Sequence, residues 1–504
     1  MKNLAQKNIL ILGLGASGLA LARWCARFGA QVTVADTRAA PPQLARLQED
    51  VPTAKFVNAE MDEALFGSAP FDMVLKSPGL SPASVTGVMT AAQARGTACG
   101  NELSLFAQAL ADLKEEHGYA PQVIGITGTN GKTTVTSLTG QLVLRAGKSV
   151  AVAGNIGPTL LDTLAEKLDE KPVEGAMPAL PEVWVLELSS FQLEGVKNFA
   201  PAVATVLNIT QDHLDWHGTL SAYIAAKANV YGSSGLMLLN RDDPLVMAAL
   251  PPLVKGKQLR PYLTFGGDEP QRPGDYGIET VNGMAWLVRA AEADETIKRR
   301  KGEEVVLHIQ RLMPLEALRI RGLHNATNAL AALGLASAVG CSLAPMLHGL
   351  REYRGEPHRV ESVTVLNDVE YFDDSKGTNV GATVAALAGL GADRKLVLIL
   401  GGEGKGQDFS PLAEPVSRYA RAVVLIGRDA PLIRAALQIS HVSLLDAASM
   451  QEAVRLAAEQ SHCGDAVLMS PACASFDMFD NYEHRAQVFR EAVQTLAQEQ
   501  GAVL

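Results

Sequence analysis

Thr127-Gly128-Thr129-Asn130-Gly131-Lys132-Thr133-Thr134 continues directly from the apolar run 123–127 (VIGIT). A strand, a glycine-bearing turn and a helix start, in that order, make a cradle for phosphate. Backbone N–H groups face the anion, the lysine neutralises the β/γ end and the following threonine hydroxyl reaches Mg²⁺. The strict pattern G-x-x-x-x-G-K-[ST] would require glycine at 126, where Ile126 stands. The shortened G-T-N-G-K-T-T form is narrower, and it reads as an ATP phosphate loop within a parallel α/β sheet.

Working outward, short apolar runs alternate with helix-like stretches. Strands are predicted at 8–12, 31–36, 72–75, 123–127, 149–153, 183–187, 203–207, 236–239, 395–400, 421–426 and 466–469. They are rich in Val, Ile and Leu without polar alternation, as expected when helices cover both faces. The repeated strand-then-helix order predicts doubly wound α/β sheets. The alternation restarts after the helix-like 101–115 and again after the turn-rich 352–358. Boundaries near 110 and 355 follow: a Rossmann-like unit at 1–110, a central phosphate-loop ATPase-like unit at 111–355 and a second Rossmann-like unit at 356–504. The 504 residues agree with three domains of roughly 150 residues each. Polar stretches at 163–182 (with Pro172, Pro178 and Pro181) and 266–304 read as surface insertions. Lys298-Arg299-Arg300-Lys301 in the second is a solvated, acid-flanked charge run.

Composition narrows the class. Hydrophobic residues at 47% and charged residues at 19% exclude a disordered chain. A net charge of −10 argues against general nucleic-acid binding. Cys25, Cys99, Cys341, Cys463 and Cys473 are scattered without a C-x-x-C pair, which argues against a zinc ribbon or disulfide framework. Residues 325–347 carry no charge, but their Asn, Ser, Thr and Pro content reads as one buried helix and not a membrane span. The amino terminus imitates a signal peptide, yet its apolar run carries Gly13, Gly15 and Gly18 at phosphate-loop spacing.

That first loop, Gly13-Leu14-Gly15-Ala16-Ser17-Gly18, precedes a helix, and Asp36 ends the next strand. NAD is the obvious ligand, although any nucleotide diphosphate suits the geometry, and Thr37 and Arg38 add polar contacts. Glu187 ends strand 183–187, where a carboxylate near a phosphate loop suits Mg²⁺ and a helix cap is an equal alternative. Residues 208–218 (NITQDHLDWHG) hold two histidines and two aspartates within six positions, too many for an ordinary turn. Lys227 follows on a helix and, from its neighbours alone, reads as solvent-facing. Further motifs are GLHNATNA (322–329), EPHR (356–359), DDSKGTN (373–379), GGEGKG (401–406) and SPACASFD (470–477). The last two place a lysine and a serine at strand ends suited to a small anionic substrate.

In this order the motifs resemble the Mur ligase family, ATP-dependent peptide-forming enzymes of cell-wall precursor synthesis, over essentially the whole chain. The GLGASG loop with Ser77-Pro78-Gly79, DDSKGTN and SPACASFDMF are most similar to the member joining D-glutamate to UDP-N-acetylmuramoyl-L-alanine. The DNPR-type motif of the diaminopimelate- or lysine-adding member is absent. The resemblance implies that ATP phosphorylates the substrate carboxylate and that the amine attacks the acyl phosphate through a tetrahedral intermediate. It implies UDP-substrate contacts from Gly15, Ala16, Ser17, Asp36, Thr37, Arg38, Asn155 and Gln192, which displaces NAD. ATP would meet Gly128, Thr129, Asn130, Gly131, Lys132, Thr133, Thr134, Asn328, Arg359 and Asp374. Lys132, Glu187, His213 and Lys227 would be catalytic. Two Mg²⁺ sites would use Thr133, Glu187, His213 and Lys227, the last as a CO₂-derived carbamate. D-glutamate would meet Lys376, Thr378, Lys405, Ser475 and Phe476. A cytoplasmic monomer is expected, without nucleic acid or membrane span. A folylpolyglutamate-type amide ligase is the nearest rival, and an NAD-dependent oxidoreductase or a non-enzymatic nucleotide-binding regulator the more distant ones.

Overall fold

The structure is a computed structural model describing residues 4–66, 70–170, 180–293, 306–392 and 394–501. The unbroken Val/Ile/Leu runs form strands covered on both faces. Four residues of Asn8–Leu12 and all of Val183–Glu187, Leu396–Gly401 and Ala466–Met469 are buried. The first sheet is parallel, in the order Lys55–Asn58, Gln31–Asp36, Asn8–Leu12, Met73–Lys76, Ala98–Gly100. The second is also parallel, in the order Tyr262–Phe265, Leu236–Asn240, Val203–Val206, Gln122–Thr127, Val183–Glu187, Val150–Gly154. The third runs Glu361–Leu366, Val369–Asp373, Ala466–Met469, Leu396–Gly401, Ala420–Ile426, Ser443–Asp446, antiparallel only between the first two. This mixed α/β architecture agrees with the fold class read from the sequence.

Three expectations need correction. The stretch 266–304 is not simply a surface loop. Its described part contains Tyr276–Val281 and Met284–Glu292, which pair with Leu307–Pro314 in a three-stranded antiparallel sheet. Tyr276, Leu287 and Met313 enter the central core, while Glu279 and Arg311 pair outside. That inside–outside alternation made the segment look polar. Likewise 163–169 belongs to the helix Leu160–Asp169, with Thr163 and Leu164 buried, and the Pro181 carbonyl accepts the Tyr119 hydroxyl. Pro172, Pro178 and the 298–301 charge run lie outside the described residues. The apolar stretch 325–347 is two helices, Leu323–Ala338 and Leu343–Glu352, broken at Gly340 with φ +82°. Among the described residues no helix is long and apolar enough to cross a membrane.

The units are stitched at defined points. Helix Glu102–His117 starts in a capping box made by Asn101 and Ser104, and the Asn101 carboxamide donates to the Gln192 carbonyl at 2.9 Å. The same helix lays Phe106 edge-on against Trp184 at 5.1 Å, and Trp184 Nε1 donates to the Tyr119 hydroxyl at 2.8 Å. Trp184 is fully buried on a central strand. Trp184→Ala is expected to cost about 3–5 kcal/mol and to lower the thermal unfolding midpoint, with Trp184→Phe losing less. Equal midpoints for wild type and Trp184→Ala contradict the packing described.

Candidate active site

The central parallel strands deliver their C-terminal ends to one edge, where ligands collect in such sheets. Gln122–Thr127 ends at the phosphate loop, Val183–Glu187 at its glutamate, Val150–Gly154 at Asn155, and Val203–Val206 leads to the histidine-rich segment. Gly128 has φ +157° and Gly131 φ +82°, and helix Lys132–Arg145 begins immediately after. A Cβ on Gly128 would lie 2.9 Å from the Leu207 side chain. Lys132 Nζ donates to the Gly128 carbonyl at 2.9 Å and to the Thr129 carbonyl at 2.8 Å.

Lys227 is not solvent-facing, as its sequence neighbours implied. It is 2% exposed, and its Nζ donates to the same Gly128 carbonyl at 2.8 Å. The Nζ also sits 4.6 Å from the Tyr223 ring centroid. Burial first, then repulsion from Lys132, holds the Lys227 amine well below the usual lysine range. Burial also lowers Lys132, against the opposing pull of Glu187. The Glu187 carboxylate is buried and accepts from Asn155 Nδ2 at 3.1 Å. Ser189, not Glu187, caps the helix that follows. Thr133 and Glu187 line one cleft.

His213 occupies the left-handed region, with φ +53°, at the start of the short helix Leu214–His217. Its ring lies 4.7 Å from Phe191. Burial lowers its pKa, Asp212 opposes this, and Lys132 and Lys227 push it further down. The imidazole is therefore biased toward the neutral form, with a lone pair free. His217 Nε2 is 2.9 Å from Ser190 Oγ. The Trp216 ring lies tilted against Phe191 at 4.5 Å and receives the Lys76 ammonium at 4.8 Å. That contact ties the first unit to this segment and was not foreseen.

Asn130, Gly131, Thr134, Asn328, Arg359 and Asp374 line a second cleft. One Arg359 NH2 donates to Thr133 Oγ1 at 2.7 Å. Asp374 accepts from Ser470 Oγ at 2.6 Å and from the Val360 N–H at 3.2 Å. A third pocket, of about 330 Å³, joins Thr378, Lys405, Ser475 and Phe476 to His213. Lys376 does not line it. It lines the second cleft instead, and its Nζ donates to the Tyr482 hydroxyl at 3.0 Å. Tyr482 lines the third pocket and was missed in the sequence, because nothing near it marks a site. Arg490 was missed too: it binds Asp373 and Glu361, which hold His358, one residue before Arg359.

At the first glycine loop, a Cβ on Gly18 would lie 2.1 Å from the Gly13 carbonyl oxygen, so only glycine fits. Gly15 precedes helix Ala16–Arg27 in extended backbone, with Ala16 exposed and Ser17 half-buried. The Asp36 carboxylate takes the Leu14 N–H at 2.8 Å and the Arg38 guanidinium at 2.9 and 2.8 Å. Arg38 above all holds Asp36 at about 2. Thr37 and Arg38 are exposed at the strand end. The Gln192 side chain accepts from the Ser189 N–H at 3.0 Å and so serves its own helix cap.

Three α/β units, with a phosphate loop, buried amines and a carboxylate where they meet, define a nucleotide-dependent group-transfer enzyme. Residues 7–100 match the Mur ligase MurD-like N-terminal domain, 126–336 the Mur ligase middle domain and 358–473 the Mur ligase glutamate ligase domain. The chain is 67% identical to a UDP-N-acetylmuramoylalanine–D-glutamate ligase of Albidiferax ferrireducens, covering 100% of this chain and 99% of that one. It is 62% identical to the protein of that name from Polaromonas sp., covering 100% of both. In fold it is similar to the MurF ligase of Thermotoga maritima in complex with ADP, with TM-score 0.56, 15% identity and coverage of 99% and 97%. A pseudomurein peptide ligase type C from Methanothermus fervidus gives TM-score 0.54, 17% identity and coverage of 97% and 100%. This chain belongs to the Mur ligase family.

The second cleft carries a pH signature. Burial pushes the Asp374 carboxyl up to about 7, against the Ser470 hydroxyl and Arg359. The folded value lies above the ordinary one, so the native state binds the extra proton between about pH 4 and about pH 7. Stability therefore falls as pH rises through that window. Asp374→Asn is expected to flatten the slope of melting temperature against pH there. An unchanged slope contradicts the assignment.

Proposed function

We propose that this chain is an ATP-dependent ligase joining D-glutamate to UDP-N-acetylmuramoyl-L-alanine, in the cytoplasmic assembly of peptidoglycan precursor. The observation that carries the chemistry is the pair of amines, Lys132 and Lys227, converging on the Gly128 carbonyl. Such a site awaits anions, and both phosphoryl transfer and amine attack on an acyl phosphate develop negative charge on oxygen. The amino-acid specificity rests on the names of the full-length relatives. In this reading 1–110 takes the UDP-substrate, 111–355 ATP, and 356–504 the amino acid.

The residues divide the work. Gly128 to Thr134 present backbone N–H groups and the Lys132 ammonium to the phosphates. Asn328, Arg359 and Asp374 hold the nucleotide against the third unit. Asp36, Thr37, Arg38 and the first glycine loop hold the uridine diphosphate, with Asn155 and Gln192 along the sugar and lactoyl-alanine. Thr378, Lys405, Ser475 and Phe476 orient the amino acid, with Lys376 supporting through Tyr482. Magnesium, when bound, neutralises phosphate charge and polarises the transferred group.

Thr133, Glu187 and His213 fit the donor set for magnesium at two sites: a hydroxyl, a carboxylate and an imidazole biased to neutrality. An ammonium on Lys227 does not fit. A buried amine whose pKa is lowered gives up its proton more readily, and the free amine reacts with CO₂, giving a carbamate and releasing a proton to solvent. The product offers oxygen ligands in place of a repelling cation.

Phosphate release with UDP-N-acetylmuramoyl-L-alanine and ATP is expected only with D-glutamate, and not with L-glutamate, L-alanine or meso-diaminopimelate. The product should gain one glutamyl unit in mass. Release with another amino acid keeps a ligase and moves its specificity. No release with any of them, together with NAD binding, restores the oxidoreductase reading. Lys132→Ala is expected to lower kcat by at least about 10²-fold. Protein equilibrated with carbon-13 bicarbonate should show a carbamate carbonyl resonance that Lys227→Arg lacks. The same resonance in both proteins would place the carbamate elsewhere.

A further inference from the structure

Asn130 in the phosphate loop and Asn379 in the third unit exchange hydrogen bonds through their carboxamides. Asn130 Nδ2 donates to Asn379 Oδ1 at 3.2 Å, and Asn379 Nδ2 donates to Asn130 Oδ1 at 3.1 Å. Asn379 Nδ2 also donates to Asp212 Oδ2 at 3.4 Å. Asn379 Oδ1 also accepts from the Ala382 N–H at 2.9 Å, capping helix Val380–Leu390. Both amide hydrogens and both oxygen lone pairs of this 6%-exposed side chain are therefore used.

The placement joins three motifs that the sequence presents separately. Thr378, one residue before Asn379, lines the 330 Å³ pocket, and so does His213, one residue after Asp212. Asn130 is fixed independently through its backbone. Its N–H donates to Asn208 Oδ1 at 2.8 Å, and Asn208 Nδ2 donates to its carbonyl at 3.1 Å. The loop shape thus stands without Asn379, and the Asn130 carboxamide is left to meet the third unit. Close approach is allowed by Gly381, where a Cβ would lie 2.9 Å from Thr210 Oγ1. Withdrawing the third unit would strip Asn379 of three bonds at once and keep only its cap.

We propose that Asn379 is a positioning residue that couples the phosphate loop to assembly of the amino-acid pocket. When nucleotide occupies the loop, the carboxamide pair sets the third unit against it, so Thr378 and His213 face each other across a completed pocket. The acyl phosphate, once formed, then meets a seated amine and not water. Naming the pocket's ligand rests on the ligase reading above.

Asn379→Ser tests this, because serine keeps a capping hydroxyl and cannot form the reciprocal pair. In the full-length wild type, the ATP analogue AMP-PNP with Mg²⁺ should slow hydrogen–deuterium exchange across 380–390. In Asn379→Ser it should add no protection, while the melting temperature without nucleotide stays close to wild type. KM for D-glutamate should rise about tenfold, the net scale of the three hydrogen bonds lost, with kcat changed much less. More phosphate should be released per ligated product. In an Asn130→Ala background, Asn379→Ser should raise that KM no further. Equal nucleotide-induced protection in wild type and variant, or full multiplication of the two KM effects, overturns the proposal. Wild type that ligates no D-glutamate sinks the ligase reading, and the exchange comparison still decides the coupling.

Discussion

One backbone oxygen, the Gly128 carbonyl, receives two amines. Lys132 reaches it from the start of its own helix at 2.9 Å, and Lys227 from the helix Leu220–Ala228 at 2.8 Å. Bringing two basic groups together away from water is unfavourable unless one gives up its proton or an anion arrives. Both outcomes serve the chemistry. In the function proposed above, Lys227 takes up CO₂ once deprotonated and Lys132 meets phosphate. Glu187 and Asp212 offset the charge only in part.

The scaffold exists to hold that crowding. Parallel strands aim their C-terminal ends at one edge, so groups far apart in sequence converge without long loops. Each neighbouring unit then contributes a few directed bonds: Asn101 to Gln192, Arg359 to Thr133, Asn379 to Asn130. The first unit also shares one continuous apolar core with the central unit, whereas the third meets it through polar bonds such as these. Interfaces of that polar kind can part and reform, as a site that must admit three substrates requires.

Much of this was legible in the chain. Fully buried strands announce themselves by composition, and the phosphate loop by its glycines and lysine. Several edge strands did not. Lys55–Asn58, Ala98–Gly100 and Ser443–Asp446 are short and half-exposed, so their residues carry no apolar run. The antiparallel sheet at 276–314 hid behind alternation, and Gly340 split what read as a single helix. At the site, local context misplaced Lys227, whose burial comes from the phosphate loop 99 residues away. Only the family resemblance singled it out. Tyr482 and Arg490 lie on a C-terminal helix, Tyr482–Glu499, of ordinary composition, and contacts 106 residues distant give the tyrosine its place.

The most direct test of the account is positional isotope exchange in ATP carrying oxygen-18 in the β,γ bridge, with UDP-N-acetylmuramoyl-L-alanine present and D-glutamate withheld. If the crowded amines serve a phosphorylated carboxyl formed before the D-glutamate amine arrives, the label scrambles into the β non-bridging positions. Scrambling should stop when the UDP-substrate is omitted. Scrambling that requires D-glutamate, or proceeds without the UDP-substrate, would contradict the acyl phosphate as the species this site is built to hold.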